Sequence, residues 1–261
     1  MELNVKHEDV CPVCGKSRLR SMEILGTLQT FRIMCDCESA ARDADYERRA
    51  EEERALEIRN NRDIAFTEKR LRGCTFETDD RSNPMLTRVC RNYADYFEEF
   101  KRQNKGLLLY GTVGNGKTFM TAAIINKLID DGRKVMMTNL SRIINRLWNE
   151  EDKNSYLDSM KNYELMVIDD FGVERESDYI GEKVYEIIDA RYRSGLPIII
   201  TTNLTGDDLR APGDVKKQRI YSRIFEMCIP FKVEGKDRRK AALGAETNYF
   251  MNILKGERDD I

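Results

Sequence analysis

The sequence has no apolar run that could cross a bilayer. Its longest uncharged apolar stretch, Leu196 to Leu204, falls far short of the roughly 18 to 20 residues a membrane helix needs. The first ten residues mix Glu2, Lys6, Glu8 and Asp9 with few apolar side chains, so the apolar centre of a secretory signal is lacking as well. Both absences predict a cytoplasmic protein with no membrane partner. In that reducing setting disulfides are rare, and the seven cysteines are better read as metal ligands, redox groups or ordinary thiols. Histidine is nearly missing, His7 being the only one, and Trp148 is the only tryptophan. There is no internal repeat.

Net charge is also small, −2 over 261 residues. With 41% apolar and 34% charged residues, the composition excludes wholesale disorder and fits one substantial domain with a small appendage. The near-neutral sum hides opposed segments. Residues 210–240 carry ten Lys or Arg against four Asp or Glu, whereas residues 145–189 carry thirteen acids against five bases. Such a chain can attract polyanions or copies of itself, or simply present solvated mixed faces.

Three regions follow from the texture. Residues 1–37 contain four cysteines. Residues 38–73 lack Pro, have no Gly before Gly73, and are dense in Glu, Arg and Ala, which predicts a solvated helical connector. Its apolar positions, Tyr46, Leu56, Ile58, Ile64 and Phe66, are too sparse for a coiled-coil seam. Residues 74–254 alternate short apolar runs with amphipathic stretches, and residues 255–261 read as a frayed tail. The runs Gly106–Tyr110, Val135–Thr138, Leu165–Asp169 and Pro197–Thr202 predict strands of a mainly parallel sheet, with helices at Lys117–Asp130 and Tyr179–Ser194. The fold class is therefore α/β.

Directly after the first of those strands stands Gly111-Thr112-Val113-Gly114-Asn115-Gly116-Lys117-Thr118, a full match to the phosphate-binding loop G-x-x-x-x-G-K-[ST]. Glycines let successive N–H groups turn inward on phosphate oxygens, and the following helix aims its positive end at the same point. Lys117 is expected on the β and γ phosphates of ATP and Thr118 on Mg²⁺. About fifty residues on, Leu165-Met166-Val167-Ile168 ends in Asp169-Asp170. Asp169 is the candidate for Mg²⁺ through water, and Asp170 for orienting and deprotonating the attacking water. Asn203, closing the next strand, is placed to hold that water or sense the γ-phosphate.

Cys11-Pro12-Val13-Cys14 and Cys35-Asp36-Cys37 give two close pairs twenty residues apart, the layout of a four-thiolate Zn²⁺ site. So short a segment cannot bury enough apolar surface alone, and metal would supply the missing stability. The second pair is C-x-C, so a Cys₃His site using His7 and a redox role for Cys11 and Cys14 stay open. Cys74, Cys90 and Cys228 read as ordinary half-buried thiols. Trp148, at helical spacing with Ile144 and Leu147, reads as core, with a base-stacking platform as the alternative.

The order of glycine loop, Asp169-Asp170, Asn203 and the arginines of Arg219-Ile220-Tyr221-Ser222-Arg223 and Gly235-Lys236-Asp237-Arg238-Arg239 resembles an AAA+ ATPase. More narrowly, residues 74–245 resemble the bacterial and phage replicative helicase loaders of the DnaC/DnaI group and the related IstB transposition ATPases. The resemblance implies that Arg223 or Arg219, with Arg223 favoured, acts as an arginine finger on a neighbour's nucleotide, and that Arg239 is the second sensor within the same subunit. It further implies a homo-oligomer joined head to tail in a ring or spiral, and a hydrolysis rate that depends on assembly. Many AAA+ relatives carry Asp-Glu where this chain has Asp169-Asp170, so slow turnover is expected. An N-terminal zinc module resembles the helicase-binding domain of some loaders.

The leading expectation is thus an ATP-dependent loader that binds a replicative DNA helicase through its N-terminal module and single-stranded DNA through the ATPase assembly, with Lys216, Lys217 and Arg219 as candidate backbone contacts. An IstB-like transposition helper and a non-hydrolysing, ATP-switched adaptor are the alternatives.

Overall fold

A computed structural model of the chain describes residues 9–66, 68–173, 177–211, 213–235, 237, 247 and 250–255. The chain divides into two compact units, residues 1–57 and 58–261. His7, Arg239 and the tail beyond residue 255 lie outside the described residues. Among the described residues no helix is long and apolar enough to cross a membrane.

The first unit is built on a hairpin, β1 (Leu19–Ile24) against β2 (Thr27–Arg32), with Ser21 and Thr30 joined through their hydroxyls at 2.9 Å. Leu25 and Gly26 turn the chain with φ of 51° and 76°, the paired left-handed residues of a tight hairpin. Sequence reading did not find this hairpin. Helix α1 (Asp36–Ala65) begins beside it. It ends at Ala65, earlier than the predicted connector, because the next apolar side chains have burial sites of their own. Phe66 is buried and bridges in parallel to Met137, and Leu71 is buried in a short 3₁₀ turn, Lys69–Gly73. Before that point Tyr46 and Leu56 are exposed, as expected of a solvated helix.

The second unit is a five-stranded parallel sheet between two helical layers. Its strands are β3 (Gly106–Tyr110), β4 (Val135–Thr138), β5 (Leu165–Phe171), β6 (Ile198–Thr202) and β7 (Cys228–Lys232), in the order β4-β5-β6-β3-β7. Successive side chains of a strand point to opposite faces, and the core obeys this alternation. Leu107, Leu109, Leu165, Val167 and Ile199 pack on one side with α2 (Pro84–Asp95) and α4 (Lys117–Asp130). Leu108, Met166, Ile168, Ile198 and Ile200 pack on the other with α5 (Leu140–Asn149), α7 (Asp178–Ser194) and α9 (Val215–Met227). Gly106 allows the close approach of β3 and β6, since a Cβ there would lie 1.6 Å from the carbonyl oxygen of Ile198.

Shorter helices α3 (Phe97–Arg102), α6 (Lys153–Ser159) and α8 (Gly206–Arg210) complete the unit. At the amino edge of the sheet Arg191, 1% exposed, donates to the carbonyls of Met160, Tyr163, Glu164 and Pro197, so its charge is met by main-chain dipoles. Burial pushes this guanidinium down to about 10.

Trp148 departs from its reading as core. It is 68% exposed, because it lies one residue, about 100° of helical turn, beyond Leu147 on the buried stripe of Leu140, Ile143, Ile144 and Leu147.

Candidate active site

The glycine loop spans the turn from β3 to α4, at the carboxyl edge of the sheet, where open α/β folds gather ligands. Gly111, with φ 140°, lets the loop pass the end of β7: a Cβ there would stand 2.4 Å from the Val233 carbonyl oxygen. Gly116 opens α4 in the left-handed conformation, with φ 94° and no side chain capping the first turn. The first N–H groups of a fourteen-residue helix therefore face the loop, as anion binding requires.

Lys117 is 4% exposed and lies back over its own loop. Its Nζ donates to the carbonyls of Gly111 and Thr112, both at 2.7 Å, and to Asn115 Oδ1 at 3.1 Å. Asn115 in turn donates to the Val233 carbonyl at 2.6 Å, tying the loop to the end of β7. Thr112, Val113 and Gly114 complete the curl.

The β5 carboxylates stand beside this loop. Thr118 Oγ1 donates to Asp169 Oδ1 at 3.1 Å, bringing together the two groups predicted to share Mg²⁺. Burial pushes the Asp169 carboxyl above its usual range, and the charge of Asp170 adds to the rise while hydrogen bonds from Thr201 and Thr118 oppose it. Asp170 is exposed and left-handed, with φ 53°. Asn203 follows the end of β6, half-buried at the same edge. An acidic strand end and a hydroxyl beside an amide-lined loop fit a nucleotide–Mg²⁺ pair, the donor set being hard oxygen.

The two arginine-finger candidates sit differently on α9. Arg219 is exposed. Arg223 is held within its own chain: its Nη2 lies 2.7 Å from Asp189 Oδ1, and its guanidinium stacks over Tyr185 at 4.4 Å, with Tyr192 at 5.5 Å. Arg239, the candidate second sensor, is outside the described residues. Among the candidate DNA contacts, Lys216 pairs with Asp178 at 2.7 Å. Exposed Trp148 instead meets Tyr179 edge to face at 5.3 Å, and Lys183 lies 5.7 Å from the Tyr179 ring.

In the first unit the sulfurs of Cys11, Cys14, Cys35 and Cys37 all lie within 4.8 Å of one another. A tetrahedral zinc with bonds of about 2.3 Å sets sulfurs about 3.8 Å apart, so the cluster fits that ion. The Cys14 backbone N–H and then the Cys35 side chain draw the Cys11 thiol down to about 6, while Cys35 and Cys11 push Cys37 up. Cys90 and Cys228 are more deeply buried than predicted, at 0% and 2% exposure, and Cys74 is half-buried.

Comparison with known proteins agrees with this geometry. Residues 77–241 match the family described as IstB-like ATP binding protein. The replicative helicase loader DnaI of Bacillus subtilis is 26% identical over 189 residues, 67% of this chain and 61% of that protein, so the match takes in under two thirds of the relative. The replicative helicase loader DnaC of Escherichia coli is 26% identical over 178 residues, 66% of this chain and 71% of the relative. A crystal structure of the DnaC helicase loader superposes with a TM-score of 0.55 at 26% identity, covering 64% of this chain and all of the other. The matched region takes in the glycine loop, the paired carboxylates and both α9 arginines, and the chain belongs to the IstB-like ATP-binding protein family.

Proposed function

We propose that this protein is an ATP-hydrolysing loader of a replicative DNA helicase. The observation that carries the reading is the hydrogen bond from Thr118 to Asp169, which joins loop and acidic strand in one site, on a chain whose relatives are named helicase loaders.

In this reading the loop amides and Lys117 bind the triphosphate, Lys117 exchanging its carbonyl partners for phosphate oxygens. Thr118 and Asp169 would hold Mg²⁺, which supplies charge neutralisation on the phosphates when bound. Asp170 orients the attacking water and accepts its proton, Asn203 fixes that water, and Arg223 or Arg219 of a neighbouring copy stabilises charge on the transferred group. The aspartate at position 170 is shorter than a glutamate, which suits a slow, assembly-gated switch. Arg239 keeps the second-sensor role that the resemblance assigns it.

Cys11, Cys14, Cys35 and Cys37 would hold zinc, whose contribution is to fold the first unit, and that unit captures the helicase. Single-stranded DNA runs over the ATPase unit, where exposed Trp148, set edge to face against half-buried Tyr179, offers a ring face for a base. An adaptor that binds but never hydrolyses ATP is excluded if turnover rises with oligo(dT).

The deciding experiment is capture of the replicative hexameric helicase by the full chain and by Cys11→Ser with Cys14→Ser. Wild type should retain the helicase and the variant should lose both it and zinc, with ATP binding intact. Full capture by the metal-free variant would overturn the assignment of the first unit.

A further inference from the structure

The pairing of β5 with β6 slips by one residue at the site. Ile168 faces Ile200, but the next pair is Phe171 with Thr202, so Asp169 and Asp170 together stand opposite Thr201 alone. This is a β-bulge, a device that bends a strand and re-aims side chains at the cost of a ladder hydrogen bond. Here it turns Asp170 out to solvent in a left-handed conformation that L-residues adopt at some strain. The backbone N–H freed by the bulge needs a new acceptor.

Thr201 provides one. Its Oγ1 accepts from the Asp170 backbone N–H at 2.9 Å and donates its own proton to Asp169 Oδ1 at 2.6 Å. The side chain is 0% exposed, so the hydroxyl has been placed inside the protein rather than left to water. One hydroxyl therefore fixes the backbone of one carboxylate and the side chain of the other. Threonine suits the task because branching at Cβ stiffens χ1 and its oxygen both donates and accepts. Valine keeps the shape and leaves both partners short of a hydrogen bond, while serine keeps the bonds and loses stiffness.

We infer that Thr201 is a positioning residue for hydrolysis, the pin that holds Asp169 and Asp170 in register with the glycine loop. The inference rests on the ATPase reading above. Thr201 acts through the two aspartates, so its loss slows the chemical step and leaves nucleotide binding nearly intact.

The test is steady-state ATP turnover of the full chain with Mg²⁺ and oligo(dT), with binding of a fluorescent ATP analogue measured alongside. The variants are Thr201→Val, Thr201→Ser, Asp170→Asn and the Thr201→Val/Asp170→Asn double. Thr201→Val should lower kcat about 10- to 100-fold, with KM and analogue affinity within about 3-fold of wild type. Thr201→Ser should recover to within about 5-fold, and the double variant should lose less than the product of the two single losses. Thr201→Cys, close in size with a weak thiol donor, should lose turnover in the same direction and serves if Thr201→Val does not fold.

Turnover within about 2-fold of wild type in folded Thr201→Val, or in Thr201→Cys where that is the folded variant, overturns the role of Thr201 while Asp170→Asn is inactive. A loss in Thr201→Val that adds to that of Asp170→Asn overturns it as well. Normal turnover in both Thr201→Val and Asp170→Asn removes both residues from the chemical step, and absence of turnover in the wild-type chain overturns the ATPase reading beneath it.

Discussion

Arg223 is paired with Asp189 at 2.7 Å, and Asp189 also meets Arg193 Nε at 2.9 Å, so one carboxylate of α7 gathers two arginines from two helices. The Arg223 side chain is 25% exposed and that of Asp189 14%. The arginine favoured for action on a neighbour thus also fastens α9 to α7.

That double duty separates the two arginine candidates. Arg223→Ala should destabilise the isolated chain by about 1 to 2 kcal/mol, discounting for the exposed part of the pair, whereas Arg219→Ala should be neutral within about 0.5 kcal/mol. Urea unfolding measures both. Mixing each variant with Lys117→Ala chains then reports which arginine serves a neighbour. If Arg223 is the finger, Arg223→Ala is inactive alone and regains turnover when mixed with Lys117→Ala chains, whereas Arg219→Ala turns over without a partner variant.

The buried ammonium and the exposed carboxylate predict opposite failures. Lys117→Ala should abolish binding of a fluorescent ATP analogue. Asp170→Asn should bind it as wild type does and lose turnover by about 100-fold or more. Hydrolysis retained by Asp170→Asn would remove that residue from its assigned role.

Asp169 trades stability for its place beside Thr118. Its folded pKa is raised, so the stability it contributes is full below the unfolded value of about 3.9 and is lost as pH climbs through the folded one. Asp169→Asn should therefore melt higher than wild type at pH 7.5, by a margin that shrinks towards pH 4, while losing Mg²⁺-dependent turnover. Equal melting temperatures at both pH values would contradict the burial argument.

Trp148 is a native reporter. As the single tryptophan, exposed and set against Tyr179, it should be quenched when oligo(dT) binds. Trp148→Ala should weaken oligo(dT) affinity about 5- to 50-fold, as loss of one stacking platform implies. Unchanged affinity would move the DNA path elsewhere on the ATPase unit.

Much of the site was legible because its chemistry is local. The glycine loop needs consecutive residues, and β3, β4 and α4 have the bounds their apolar runs suggest. What escaped was held by distant partners or by residues acting against type. Strand β7 carries Pro230 and an exposed Ile229, so no apolar run announces it. The hairpin turn places Leu25, a residue with no turn preference, at positive φ. Arg191 reads as surface charge because the carbonyls that receive it lie six to thirty-one residues away. Thr201 looks like any strand threonine until the slipped register sets two aspartates across from it.

The resident contacts of Lys117 change what nucleotide capture is. Its ammonium already serves Gly111, Thr112 and Asn115, so an arriving phosphate gains only the difference between an anionic and a neutral acceptor. Capture is then an exchange rather than an addition. Discrimination between nucleotides would depend on how many phosphate oxygens can take over those contacts at once, which favours the triphosphate over its shorter product.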